Sequence, residues 1–171
     1  MKTEQGQTKY QVVMEEFLLL RGWSDELKID PVDRTISLVT GVSIGNQSGR
    51  LFVEIDEAAD CVDVFFYYDI RCKELNIDQM CRLINMLHLQ WSFGRFEVLP
   101  DGRIRWRHRV DFEGSTPTGR SVEAIVQPGW VAIAKFLDPI AAVALTRQSA
   151  DEALADWKQS QPQESPDKRT V

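Results

Sequence analysis

The sequence predicts an α+β domain: a two-layer α/β sandwich with an antiparallel sheet and the element order α-β-β-β-α-β-β-α. Three observations carry this. Between residues 34 and 69, three apolar segments of strand character are joined by short connections, as in a meander. Residues 76–91 then switch to helical spacing. A second strand pair follows around Asp101-Gly102. With 171 residues, 43% of them hydrophobic and 27% charged, the chain is long enough to bury a substantial core and is too apolar for wholesale disorder.

The elements follow in order. Over residues 8–21, Val13, Phe17 and Leu20 fall at helical spacing beside Met14 and Leu18, with Thr8 as N-cap and Gly22 as stop. The run Phe17-Leu18-Leu19-Leu20 is apolar on more than one side and calls for cover on both flanks, from the sheet or a second subunit. Residues 34–44 are rich in Thr, Val, Ile and Ser; residues 45–49 read as a loop. Residues 50–56 alternate, with Leu51, Val53 and Ile55 on one face. After a turn at 57–60, residues 61–69 put Val62, Val64, Phe66 and Tyr68 on one face and Phe65 and Tyr67 on the other.

In the second half, Ile77, Met80, Ile84, Leu87 and Trp91 make one helical stripe, with Asn76 or Asp78 as cap and Gly94 after the end. Residues 96–99 and 104–112 form a hairpin, for which Asp101-Gly102 is the expected two-residue turn. Ile104, Trp106, His108, Val110 and Phe112 point one way; Arg103, Arg105, Arg107, Arg109 and Asp111 point the other. Residues 121–145 read as helical, with a kink or a division into two helices at Pro128-Gly129 and a second break or a first-turn proline at Pro139. Residues 148–158 suggest a short terminal helix, and the polar residues 159–171 a mobile tail. The expected organisation is one domain over residues 1–150, followed by that helix and tail.

Charge and motifs narrow the function classes. Twenty Lys and Arg stand against 26 Asp and Glu, a net charge of -6, which argues against nonspecific binding to nucleic acid or anionic membrane. The excess is local: residues 1–90 hold 15 acids and 9 bases, residues 91–171 hold 11 of each. No apolar stretch approaches the length of a membrane span, and the polar, acid-bearing residues 1–10 do not read as a leader peptide. Cys61, Cys72 and Cys81, odd in number and without C-x-x-C spacing, fit reduced thiols in a cytosol. No catalytic, metal or cofactor motif appears. The two histidines, His88 and His108, lie on different elements; residues 114–119 lack the G-x-S-x-G order, and no phosphate loop occurs. Cys72, between Arg71 and Lys73, is the one candidate for a lowered thiol pKa. An enzymatic site built from His108, Asp111 and Cys72 is disfavoured, because residues three apart on a strand face opposite ways.

Two features stand out. Arg103, Arg105, Arg107 and Arg109 alternate, about 7 Å apart along one strand, and are candidates to grip an acidic peptide or an anion. The competing reading is a solvated face whose arginines pair with acids such as Glu54, Asp56 or Glu97. Trp106 faces the other way, so it makes no aromatic–basic platform for nucleic acid with the arginines. Phe65 and Tyr67 make their strand apolar on both faces, which fits either a deeply buried middle strand or cover by a subunit or client.

With this element order, residues 51–145 resemble the YbjN family of bacterial sensory-transduction regulators, whose fold is like that of type III secretion chaperones. The marks are the strand VDVFFYYDI (62–70), the segment NIDQMCRLINMLHLQWSFGRFEVLPDGRIRW (76–106) and the long last helix. Within the segment, LINMLHLQWSFGRFEV is similar to the family's passage N…N…G into a strand. The resemblance implies a small, acidic, cytosolic, usually dimeric binder of other proteins, with no catalytic residues to carry over. The arginine strand and the polar tail depart from that pattern. The expectation is a non-enzymatic protein-binding module, chaperone-like or regulatory, forming a homodimer in the bacterial cytosol. Arg103, Arg105, Arg107, Arg109, Phe65 and Tyr67 are its candidate contacts; the alternatives are an anion or nucleic-acid binder using the arginine stripe, or an enzyme without a recognisable motif.

Overall fold

A computed structural model describes residues 8–115 and 117–161. The order is α1 (Lys9–Arg21), β1 (Lys28–Asp30), β2 (Thr35–Ile44), β3 (Gln47–Asp56), β4 (Cys61–Arg71), a 3-10 turn (Glu74–Asn76), α2 (Ile77–His88), β5 (Arg95–Val98), β6 (Arg103–Asp111), α3 (Gly119–Lys135), α4 (Leu137–Leu145) and α5 (Ala150–Ser160). The strands form one antiparallel sheet in the order β1-β2-β3-β4-β6-β5. The α+β class holds. One short strand, β1, is added to the expected order, and the last helical stretch is divided.

Local signals explain most boundaries. The Thr8 side chain accepts a hydrogen bond from Gln11 N, and Gly22 closes α1 in the left-handed conformation. Phe17 and Leu18 are buried, whereas Leu19 and Leu20 are exposed, so the apolar run is covered on one side only. The loop expected over residues 45–49 reduces to a tight turn at 45–46, because β2 runs to Ile44 and β3 begins at Gln47. The β5–β6 turn also differs from expectation. Gly102 N donates to Leu99 O at 2.8 Å, and only Gly102, not Asp101, has positive φ. Pro100 and Asp101 are therefore the central residues of the turn, and Gly102 supplies the left-handed residue that follows, a three-residue connection.

The helices cover one face of the sheet. Ile36, Leu38, Leu51, Val53, Ile55, Val62, Val64, Phe66, Phe96, Ile104 and Trp106 are buried on that side. The helix is not divided at Pro128-Gly129; α3 runs as one helix through both residues. Gly129 is a close-approach site instead. A Cβ there would lie 2.5 Å from Phe66 Cε2 and 2.6 Å from Trp106 Cζ3, so only glycine lets α3 settle onto these rings. The break falls at Phe136, with a 54° bend between α3 and α4. Pro139 accounts for it: as the third residue of α4 it has no N–H for the carbonyl four residues back, that of Lys135. Lys135 O accepts a bond from Trp157 Nε1 of α5 at 3.0 Å instead. No single helix among the described residues is long and apolar enough to cross a membrane.

Other helix ends are closed from a distance as well. Tyr68 Oη donates to Ile133 O at 2.8 Å. Asn76 occupies the cap position of α2 but makes no side-chain cap bond there. Its buried Nδ2 reaches the end of α4, donating to Val143 O at 2.9 Å and Thr146 O at 2.7 Å. These carbonyls have no partner within their own helices. Trp157 is buried and lies 5.2 Å from Phe136, ring centroid to centroid, so α5 packs into the core. Residues 159 and 160 belong to α5; the rest of the expected tail, from residue 162 on, lies outside the described residues.

Two substitutions test this account. Gly129→Ala gains about 1 kcal/mol in helix propensity and is expected nonetheless to destabilise the protein by about 1–3 kcal/mol through overpacking. Asn76→Ala is expected to cost about 1–3 kcal/mol by stranding the α4 carbonyls. In urea unfolding, both appear as lower midpoints with an unchanged slope.

Candidate functional site

The face of the sheet away from the helices gathers the residues singled out from the sequence. Strand alternation sends Arg103, Arg105, Arg107 and Arg109 of β6 there. Register sets their neighbours: Tyr67 lies opposite Arg105, Phe65 opposite Arg107, Asp63 opposite Arg109, and Arg71 opposite Arg103. The arginine stripe and the two aromatic candidates thus share one surface. Phe52 of β3, opposite Phe65, extends it, with its ring 5.2 Å from that of Tyr67. An aromatic residue on the polar side of the 50–56 alternation was the sequence signal for Phe52. Arginine and aromatic side chains do share a face here, supplied by adjacent strands rather than by one.

Each stripe arginine has a carboxylate partner. Arg105 Nε donates to Glu97 Oε2 at 2.6 Å, and its Nη1 to Tyr67 Oη at 2.9 Å. Arg107 Nη2 and Arg109 Nη1 donate to opposite oxygens of Asp63, each at 2.9 Å. Arg103 Nε donates to Asp101 Oδ2 at 2.7 Å. The Arg105 and Arg107 guanidiniums also stand over the Phe65 ring, 4.9 and 5.2 Å from its centroid, a favourable cation–π placement. Of the partner acids anticipated from sequence, only Glu97 pairs with the stripe. Glu54 and Asp56 sit on β3, and β4 lies between β3 and β6. Asp56 accepts the Ala58 and Ala59 amides instead.

Glu54 has an uncomfortable position. It lies directly opposite Asp63. Partial burial, followed by the Asp63 charge, pushes its carboxyl pKa above the usual glutamate value.

Beyond Tyr67 the ladder slips. Between Tyr67 and Arg71, β4 advances four residues while β6 advances two, from Arg105 to Arg103. A depression of about 320 Å³ opens at this bulge, lined by Arg50, Phe52, Tyr67, Tyr68, Asp69, Arg71 and Arg103. Bulges re-aim side chains in this way.

The groups considered for chemistry do not assemble. Cys72 is buried, and burial raises its thiol pKa, the reverse of the lowering anticipated from its cationic neighbours. His108 lies half-buried on the helix side, with Nδ1 unbonded among the described residues. Asp111 is on the open side, where its carboxylate lies 3.6 Å from Arg109 Nε. His88 Nε2 accepts the Phe96 amide at 2.9 Å. Among the described residues no group of three or more His, Cys, Asp or Glu is placed to hold a metal ion.

A family profile described as "Putative bacterial sensory transduction regulator", YbjN, matches residues 12–141. The chain belongs to the YbjN family. The matched span takes in the whole sheet, from β1 to β6, and most of the helical layer, and so contains the whole open face. No curated protein matches this YbjN chain. Among solved structures it is similar to a chain of the "Structure of the HopA1-SchA Chaperone-Effector Complex", with 14% identity and a TM-score of 0.45 over 72% of this chain and 88% of that one.

The Glu54–Asp63 opposition gives a pH test. A carboxyl whose pKa is raised on folding opposes folding wherever it is ionised, and ceases to do so once protonated. Glu54→Gln is therefore expected to raise stability at pH 7 by about 0.2–1 kcal/mol, the range for a cross-strand pair. The gain should fade as pH falls through the glutamate range, and thermal unfolding of both forms between pH 7 and pH 4 reads it directly.

Proposed function

We propose that this YbjN-family chain is a non-enzymatic protein-binding module, regulatory or chaperone-like, that works as a homodimer in the bacterial cytosol. One observation carries the reading: the open sheet face presents Phe52, Phe65 and Tyr67 among arginines whose positions are fixed by Glu97 and Asp63. Tyr and Arg are the side chains that dominate protein interface energetics, because each offers a large, semi-rigid contact surface with a polar end. An extended partner segment laid across the strands would meet apolar ring surface in the centre and a charged rim at its edges. Carboxylates held among the arginines favour a partner of mixed charge over a polyanion.

A second reading is single-stranded nucleic acid bound on the same face, since stacking rings and guanidiniums stand together there. Asp63, Glu97 and Glu54 on that surface, with the net charge of -6, weigh against it.

The test is a Phe65→Ala, Tyr67→Ala double variant, checked for an unchanged circular-dichroism spectrum. Proteins captured reproducibly from native bacterial cytosol by the unaltered chain are expected to bind the variant about 10- to 100-fold more weakly, as for two anchors of over about 1 kcal/mol each. A Cys81→Ser variant, altered on α2, should bind normally. Equal capture by the double variant overturns the reading. Captured nucleic acid whose affinity falls steeply with salt selects the second. Light scattering on the free chain should give twice its 19.6 kDa mass.

A further inference from the structure

We infer that the depression at the β4 bulge is a binding site for a small organic anion, a phosphate or carboxylate carried on a flat apolar body. This goes beyond the protein-partner reading and does not rest on it.

Charge compensation differs between the two ends of the open face. Arg105, Arg107 and Arg109 are matched with Glu97, Asp63 and Asp111. Around the depression the balance changes. Arg50 and Arg71 have no carboxylate within ion-pair distance among the described residues, and Arg103 alone is paired, with Asp101. Asp69 is the one acid in the lining. Three cations thus stand against two acids, Asp69 in the lining and Asp101 beside Arg103 and Arg71, an excess of positive charge in one concavity of an acidic protein.

Register makes the imbalance specific. Arg71 and Arg103 are cross-strand partners, and like charges directly opposite one another destabilise a sheet. The bulge places them so. An oxyanion between the two guanidiniums removes the repulsion and can accept paired N–H donors from either, the geometry to which arginine is suited. Arg50, opposite Tyr67 on the other flank, adds a third donor group. Phe52 and Tyr67 supply an apolar wall, and about 320 Å³ lies at the lower end of the range for small-molecule sites. The pocket chemistry therefore selects a charged oxygen head and a compact, flat tail.

The full chain is titrated with phenyl phosphate and with benzoate at constant ionic strength, and the Arg Nε–Hε and backbone amide resonances of residues 50, 67–71 and 103 are followed by NMR. Saturable shifts confined to these residues are expected. Whichever probe binds tighter names the head group. Arg71→Gln is expected to weaken binding at least fivefold, while Arg95→Gln, an exposed arginine paired with Glu97 on the same face, leaves it unchanged. Absence of saturation, or equal loss in both variants, overturns the site. Stability gives a second readout: without added anion, Arg71→Gln should unfold at the same temperature or higher, because it relieves the repulsion. A markedly lower midpoint would make Arg71 a structural residue and overturn the inference.

Discussion

One constraint governs this molecule: a six-stranded sheet covered by helices on one face alone. The covered side follows ordinary packing rules, with aliphatic and aromatic residues interdigitating beneath α1 to α5. The other side must keep the same strands in register without a second layer. It does so with long side chains laid flat. The arginine stems of β6 lie over Phe65 and Tyr67, the guanidiniums find carboxylates at the margins, and the result excludes enough water to leave Cys61 and Asp63 buried although no helix stands above them. Asp63 is central, since its two oxygens join Arg107 and Arg109. The polar lattice therefore does for this face what the helices do for the other, while leaving ring edges and donor groups at the surface.

Much of the architecture was legible because its signals are local. Alternation with short connections identified the β2–β3–β4 meander, period-two arginines identified β6 and its polar side, and Thr8 and Gly22 marked the ends of α1. The strand β1 was invisible, since three residues ending at Asp30, just before Pro31, show no period. Pro128-Gly129 looked like a break because proline and glycine are poor helix formers in isolation. The placement of Gly129 answers to Phe66 and Trp106, which are distant in sequence. The actual bend depends on Pro139 and on a tryptophan arriving from α5.

The candidate surface was half readable for a similar reason. Which side chains share a strand face follows from parity, so the stripe and the Phe65–Tyr67 pair could be named. Which acids meet them depends on sheet order. Helix α2 intervenes between β4 and β6 in the chain, yet these strands are neighbours in the sheet. Asp63 is consequently a partner and Asp56 is not. The bulge after Tyr67, and with it the facing of Arg71 and Arg103, has no counterpart in any local pattern.

The helix ends carry a consequence for how the protein comes apart. At the end of α3, Ile133 O and Lys135 O are satisfied by Tyr68 of β4 and Trp157 of α5; at the end of α4, Val143 O and Thr146 O are satisfied by Asn76, and Leu145 O by Lys73. Each helix closes only part of its terminus with its own cap residue, so neither is an autonomous unit: losing α5 or displacing β4 strips buried acceptors of their donors. Sheet and helical layer are thereby bound into a single cooperative transition, with partial opening of α3 and α4 penalised at their ends as well as along their packed faces.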